Sequence, residues 1–177
     1  DLPDKSYALC QGLTTMKTMN FKYGYVEMRG KLPFRHGAWP SFWMKTNTPF
    51  AKADYMAEID IFEVFSSPNA VVSNLHKWAS EGRHVMLPGG EGSLTRAYEF
   101  ENYENLNDEY HTYGFEWDEH FMTFYVDDVK YTAFPIDESG EFGEHSIKGM
   151  AGFHDFAYII FNNEIFTMGR SWKPEGK

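Results

Sequence analysis

Glu58-Ile59-Asp60-Ile61-Phe62-Glu63 is the stretch that decides how this chain is read. Three carboxylates fall within six residues, interleaved with two isoleucines and a phenylalanine. Ile, Phe and the following Val64-Phe65 favour a strand. Alternate strand residues share a face, so Glu58 and Asp60 point one way while Ile59 and Ile61 point the other. Glu63 breaks that parity. A one-residue bulge near Ile61-Phe62 restores it, because a bulge re-aims the residues beyond it, and all three carboxylates then leave one face. A helix does not do this, since positions five apart lie on different sides of it. Carboxylates crowded on one strand face repel each other, and folding does not require them. Paired carboxylates are what glycosidic bond cleavage uses. For the hexapeptide alone, a solvated polar strand and a calcium-type oxygen cluster stand as alternatives; the second lacks further oxygen ligands nearby in sequence.

Outward from this stretch the pattern remains one of strands. Phe21 to Leu32 alternates, with Tyr23, Tyr25, Glu27 and Arg29 on one face and Gly24, Val26 and Met28 on the other, and Pro33 stops it. Trp39 to Met44 and Ala70 to Trp78 are strands flanking the carboxylates, with a loop around Thr46 to Asp54. Gly82 to Ser93 is glycine-rich and reads as a loop. Glu109 to Trp117 and Phe121 to Val126 read as strands. Asp127-Asp128 then separates two aromatic, β-branched runs, which is a hairpin signal. Tyr98 to Asn107 holds at most a short turn, Ile136 to Gly149 is loop-like, and Phe156 to Phe166 is the last strand. Short strands at regular intervals predict an all-β sandwich or barrel.

The faces of these strands nominate further site residues. Trp39 and Trp43 are four apart and share a face with Ser41 between them, while Phe42 and Met44 take the core side. Two indoles on a partly polar face suit sugar rings; the alternative is that both are core. Asn74, His76 and Trp78 share one face, a mixture closer to a binding lining than to a core, although a structural role for His76 remains open. Asn162 and Asn163 interrupt an apolar strand, and a buried asparagine must be hydrogen-bonded. Glu116 sits at a strand end, either as an outer element of a cleft or as a local salt-bridge partner.

Composition bounds the partners. The 177 residues suit one domain with a substantial core. Aromatic residues make up 18%, enough for a binding surface as well as a core. The formal net charge of -10 argues against nucleic acid or an anionic membrane as partner and leans against a heavily sulfated substrate. Cys10 is the single cysteine, so no intrachain disulfide forms, and it reads as a small buried apolar residue. No apolar run approaches transmembrane length and no signal peptide is visible at Asp1, which suits a mature or trimmed chain.

Taken together, these residues resemble glycoside hydrolase family 16. The family's catalytic strand reads E-[ILV]-D-[IVAF]-x-E, and Glu58 to Glu63 matches its bulged form, that of laminarinase-like glucanases and of agarases, carrageenases and porphyranases. Tyr23 to Pro33 is similar to the strand before the cleft, and Gly37-Ala38-Trp39-Pro40-Ser41-Phe42-Trp43-Met44 to the family's G-x-W-P-A-x-W-M stretch. His111 to Trp117 and Phe124 to Asp128 resemble its H-x-Y-x-x-E-W and F-Y-V-D-G pair. The resemblance covers about Gly12 to Asn163.

It implies a concanavalin-like jelly-roll β-sandwich of two antiparallel sheets with a substrate cleft on the concave face. It implies retaining endo-hydrolysis of a β-linked polysaccharide, with Glu58 as nucleophile, Glu63 as general acid/base and Asp60 assisting between them. The first expectation is a β-1,3- or mixed β-1,3/1,4-glucan substrate, handled by a secreted or cell-surface protein. The alternatives are an algal galactan hydrolase, or a non-catalytic carbohydrate-binding module on the same fold. A transglycosylase differs only in which acceptor takes the glycosyl group. Strands that usually precede Asp1, and a closing strand reading roughly M-x-V-D-Y-V-R-V-Y, have no counterpart here; Asn163 to Phe166 replaces the A-V-G-G that commonly follows Asn162. Residues 1–177 are therefore expected to be a single catalytic domain shortened at its ends, with a second copy of the chain as one candidate source of the missing strands. The calcium site of many relatives uses those ends, so no metal and no cofactor is expected.

Overall fold

Among the described residues ten runs of the chain pair as strands, most of them alternating apolar and polar residues. In the computed structural model the described residues are 12–33, 38–47, 55–64, 69–79, 82, 93–100, 106, 108–136 and 153–165. In chain order the strands are β1 (Gly12–Thr14), β2 (Gly24–Gly30), β3 (Ala38–Thr46), β4 (Tyr55–Glu63), β5 (Ala70–Ala79), β6 (Ser93–Glu99), β7 (His111–Trp117), β8 (Phe121–Val126), β9 (Val129–Pro135) and β10 (Ala157–Ile165). They form two antiparallel sheets, one ordered β1-β10-β3-β4-β5-β6 and the other β2-β7-β8-β9. This is the all-β sandwich that the alternation predicts, and no helix occurs among the described residues.

The inner faces of the two sheets meet in an aromatic core. Phe42, Met44, Ile59, Phe62 and Leu75 from the larger sheet are buried against Tyr113, Phe115, Trp117, Met122 and Phe124 from the smaller. Phe62 and Tyr113 touch with ring centroids 4.6 Å apart. Each such side chain contributes about 1.5–3 kcal/mol when fully buried. That driving force fixes which face of β3, β4 and β5 turns inward, and so which residues are left on the outer face.

Asp127 and Asp128 form the hairpin between β8 and β9, both with positive φ (48° and 63°), as a two-residue type I′ turn requires. The Asp127 carboxylate accepts the Thr112 backbone N–H and lies 2.7 Å from Nδ1 of His111, which ties the turn to β7.

Four sequence expectations differ from the structure. Tyr23 does not continue the alternation of β2. Its φ of 63° turns the chain, so it packs edge-on against Trp117 at 5.3 Å and hydrogen-bonds His154, while Tyr25 stays exposed. Strand β1 has no counterpart in the sequence reading; Gly-Leu-Thr is too short to carry a pattern and is held by pairing with β10. Strand β6 has none either, because Arg96 falls on the face of Leu94 and Tyr98 and obscures its alternation, and Ser93 belongs to it and not to the preceding loop. Glu116 lies on β7 of the smaller sheet, exposed and accepting the Tyr125 hydroxyl at 2.6 Å, so it takes no part in a cleft on the larger sheet. Cys10, Phe65, Phe166, the loop expectations for 48–54, 83–92 and 137–149, and most of the turn expected over 98–107 lie outside the described residues.

Candidate active site

The bulge in β4 is present. On the β5 side Asp60 pairs with Asn74 and Glu63 with Val72, so three steps along β4 match two along β5. On the β3 side Trp43 pairs with Asp60 while the adjacent Phe42 pairs with Phe62. Ile59, Ile61 and Phe62 are buried in the core, and Glu58, Asp60 and Glu63 all open onto the outer face of the larger sheet. The extra residue converts an odd spacing into a shared face.

Three cross-strand rungs build the site. Lys45, Glu58 and His76 form one; Trp43, Asp60 and Asn74 the next; Ser41 and Glu63 the third. Strand β10 adds Tyr158 beside Lys45, Asn162 beside Ser41 and Glu164 beside Trp39. The resulting cleft is lined by Trp39, Ser41, Trp43, Glu58, Asp60, Glu63, Asn162 and Glu164. Of the residues nominated from sequence, Trp39, Trp43, Asn162 and the three carboxylates line it directly. Asn74, His76 and Trp78 stand behind the carboxylates and hold them.

Each contact has a definite geometry. Glu63 accepts the Trp39 indole N–H at 2.9 Å and the Asn74 amide at 2.6 Å, one on each carboxylate oxygen. Nε2 of His76 lies 3.1 Å from Asp60. Trp78 is among the groups that favour the charged form of Glu58, and its ring stacks on His76 with centroids 5.9 Å apart. The Trp43 indole donates to Oδ1 of Asn162 at 2.7 Å, and Nδ2 of Asn162 donates to Glu164 at 3.2 Å. Asn163 points elsewhere: its side-chain carbonyl oxygen accepts the backbone N–H of Trp39 at 3.1 Å, a structural tie between β10 and β3.

The electrostatics separate the carboxylates. Burial, and then the charge of Asp60, push Glu63 up to about 8, against the opposing pull of Asn74, His76 and Trp39. Asp60 is raised well above the ordinary carboxylate range, by burial first and Glu58 second, although Asn74 and Glu63 beside it favour its charged form. Glu58 is raised by burial, but His76, Lys45 and Trp78 all work to keep it ionised. His76 is lowered by burial, against the pull of Glu58 and Glu63. At neutral pH Glu63 carries a proton and Glu58 has a cation, Lys45, as its neighbour.

Glu58, Asp60 and His76 also offer ligand atoms within 4.8 Å of one another. A hard cation such as calcium takes about six to eight oxygens. Two carboxylates and an imidazole make a poorer oxygen set than that, and each is already engaged by its neighbours.

Lys45 and Glu164 belong to the site although the sequence reading does not nominate them. For Lys45 a signal exists: Trp39, Ser41, Trp43 and Lys45 succeed one another at the strand period. Glu164 stands in the same relation to Asn162.

Comparison with known proteins gives a consistent picture. Residues 3–152 match the model of the glycosyl hydrolases family 16. A Penaeus monodon protein described as a β-1,3-glucan-binding protein is 29% identical over 92% of this chain and 49% of its own length. Among solved structures, the catalytic domain of an endo-1,3-β-glucanase (laminarinase) from Thermotoga petrophila superposes with a TM-score of 0.71 at 27% identity, over 94% of this chain and 62% of that one. A Bacteroides ovatus mixed-linkage glucan protein in complex with a G4G4G3G product gives 0.68 at 29%, over 87% and 60%. The chain thus spans about half the length of the first relative and under two thirds of these structures.

Proposed function

The chain belongs to family 16 of the glycosyl hydrolases, and on that footing we propose that it hydrolyses a β-1,3- or mixed β-1,3/1,4-glucan within the polymer, with retention at the anomeric carbon. The observation that carries this is the bulge-aligned wall on which a protonated Glu63 and a cation-flanked Glu58 face one cleft that Trp39 and Trp43 also line. A retaining glycosidase needs this pair: one carboxyl neutral at working pH and one charged, both reaching the same bond.

In the proposed sequence the polymer lies across Trp39 and Trp43, whose rings meet the apolar faces of sugar units. Glu58 attacks the anomeric carbon while Glu63 gives its proton to the departing glycosidic oxygen, which leaves as an alcohol. A glycosyl ester on Glu58 results. Glu63, now charged, takes a proton from water as that water attacks the same carbon, and Glu58 departs as a carboxylate. Asp60 lies between the two. Burial, with Asp60 as the neighbouring carboxylate, keeps the proton on Glu63, and the contact of Asp60 with His76 helps hold the wall in place. Asn162 and Ser41 offer polar contacts along the cleft floor.

The net charge of -10 favours a neutral polymer as partner, met outside the cell or at its surface. No described helix is long and apolar enough to cross a membrane. A second reading, glucan binding without cleavage, is favoured by the description of the Penaeus monodon relative.

One experiment separates the two. Time-resolved product analysis on laminarin, mixed-linkage β-glucan, agarose and carrageenan would be run with Glu58→Gln as control, following the anomeric configuration by NMR. Retained β-oligosaccharides from a glucan, released by the wild type alone, support the enzyme. Products from agarose or carrageenan would move the substrate to galactans. Retention on a glucan affinity gel without products would establish the binding reading instead.

A further inference from the structure

The bulge that aims Glu63 is itself held from the opposite sheet. Ser73, fully buried on β5, donates its hydroxyl to the carbonyl of Ile61 at 2.6 Å. Ile61 and Phe62 together face Ser73, because Asp60 pairs with Asn74 and Glu63 with Val72. A bulge interrupts the ladder at just such a residue, so Ser73 supplies a donor where the backbone pairing fails. The Tyr131 hydroxyl, from β9 of the smaller sheet, is hydrogen-bonded to Ser73 in turn. The direction of the chain comes from counting protons: a carbonyl only accepts, so Ser73 spends its single O–H on Ile61, and Tyr131 must donate to Ser73. Tyr131 is held by an edge contact with Tyr98 at 5.4 Å and a tilted ring contact with Phe124. Burial raises its hydroxyl to about 12, so it remains a donor throughout the working range.

We infer that the Tyr131–Ser73–Ile61 chain sets the conformation of the bulge and thereby the position of Glu63, making Ser73 and Tyr131 positioning residues for the acid/base. Neither lines the cleft, and Ser73→Ala and Tyr131→Phe each remove a single hydroxyl oxygen. A bulge free to slip by one residue would return Glu63 to the core face and Phe62 to the cleft, so its register is where a positioning interaction has most leverage. The inference rests on the acid/base role proposed for Glu63.

The test compares Ser73→Ala, Ser73→Thr and Tyr131→Phe with wild type, using two readouts. The first is kcat and KM across pH on the glucan that the wild type cleaves. The expected result for Ser73→Ala is a fall in kcat of about tenfold, since displacing a reacting group by about 1 Å costs up to about a hundredfold. KM should stay within about twofold, because Trp39 and Trp43 are untouched, and the basic limb of the profile should move. Tyr131→Phe should do the same more weakly, and Ser73→Thr should restore the wild-type profile. The second readout needs no turnover: the side-chain carboxyl of Glu63 is titrated by carbon NMR in labelled protein, assigned with Glu63→Gln. In Ser73→Ala its midpoint should fall toward the ordinary carboxylate range as the group leaves its buried place beside Asp60. A lowered melting temperature with an unchanged Glu63 titration and an unchanged basic limb would overturn the inference and leave the chain a purely structural tie. A wild type that cleaves nothing would count against the proposed function alone, and the titration would still decide the positioning.

Discussion

Asn74 stands opposite Asp60 in the β4–β5 register yet donates its side-chain amide to Glu63, three residues further along, at 2.6 Å. The bond spans the bulge. It holds one oxygen of Glu63 while the Trp39 indole holds the other at 2.9 Å. Both donors favour the charged form of Glu63, but burial and Asp60 outweigh them. The acid/base is thus fixed in space by contacts that oppose its protonation, and kept protonated by its surroundings.

Removing Asn74 tests that balance. Asn74→Ala deletes a donor that lowers the Glu63 pKa, so the basic limb of kcat/KM should move upward. A hydrogen bond to a neutral group is worth about 0.5–1.5 kcal/mol, so kcat should also fall, by roughly two- to tenfold, as the protonated Glu63 loses its tether. A pH–rate profile of the variant checks both, and a downward shift of the basic limb would contradict the assignment.

The wild-type profile carries its own expectation. With Glu63 near 8 and Glu58 raised from the usual carboxylate value, activity should be bell-shaped, with a basic limb near 8 and an acid limb above 4.5. Glu63→Gln should abolish the basic limb together with most turnover on unactivated polymer. On substrates with a good leaving group, which need no acid in the first step, the glycosyl ester should still form in a burst.

Stability should track pH with a definite sign. Glu63 binds its proton more tightly folded than unfolded, so the folded state is favoured at low pH, and that advantage is lost as pH rises from about 4.5 to about 8. The melting temperature of the wild type should decline across that window. In Glu63→Gln the decline should be shallower, since the amide carries no proton to lose. Parallel thermal melts from pH 4 to 9 measure it; identical slopes would mean that Glu63 is not held protonated.

Much of this site is legible in the residues themselves. The parity of Glu58, Asp60 and Glu63 demands a bulge if all three are to share a face, and the register shows one at that point. The Trp39 and Trp43 spacing and the Asn74–His76–Trp78 face come from the same period-two rule. The failures have physical causes too. Glu116 draws attention by its place beside Trp117, but which sheet a strand joins is a long-range fact, and β7 pairs with β2 and β8. Tyr23 leaves the pattern because positive φ at Tyr23 and Gly24 resets the alternation. Ser73 gives no signal of its own: a single serine in an apolar strand acquires meaning only when the carbonyl opposite it belongs to a bulge.

Lys45 supplies the last prediction. It neighbours Glu58 in register, lies 5.9 Å from the Trp43 ring and is among the groups that keep Glu58 ionised. Replacing it with an uncharged chain of similar length, Lys45→Met, leaves the apolar stem but removes the cation. The Glu58 pKa should then rise further, and the acid limb of kcat/KM should move upward while the basic limb, set by Glu63, stays in place. The loss of activity should be larger at pH 5 than at pH 7, because the lower pH is where a raised Glu58 becomes protonated and ceases to be a nucleophile. High salt should produce a weaker version of the same shift in the wild type, since the pair is partly open to solvent. If Lys45→Met instead lowered activity equally at all pH values, Lys45 would be a contact for the polymer and not the counter-charge for Glu58. The two roles are separated by the pH dependence alone.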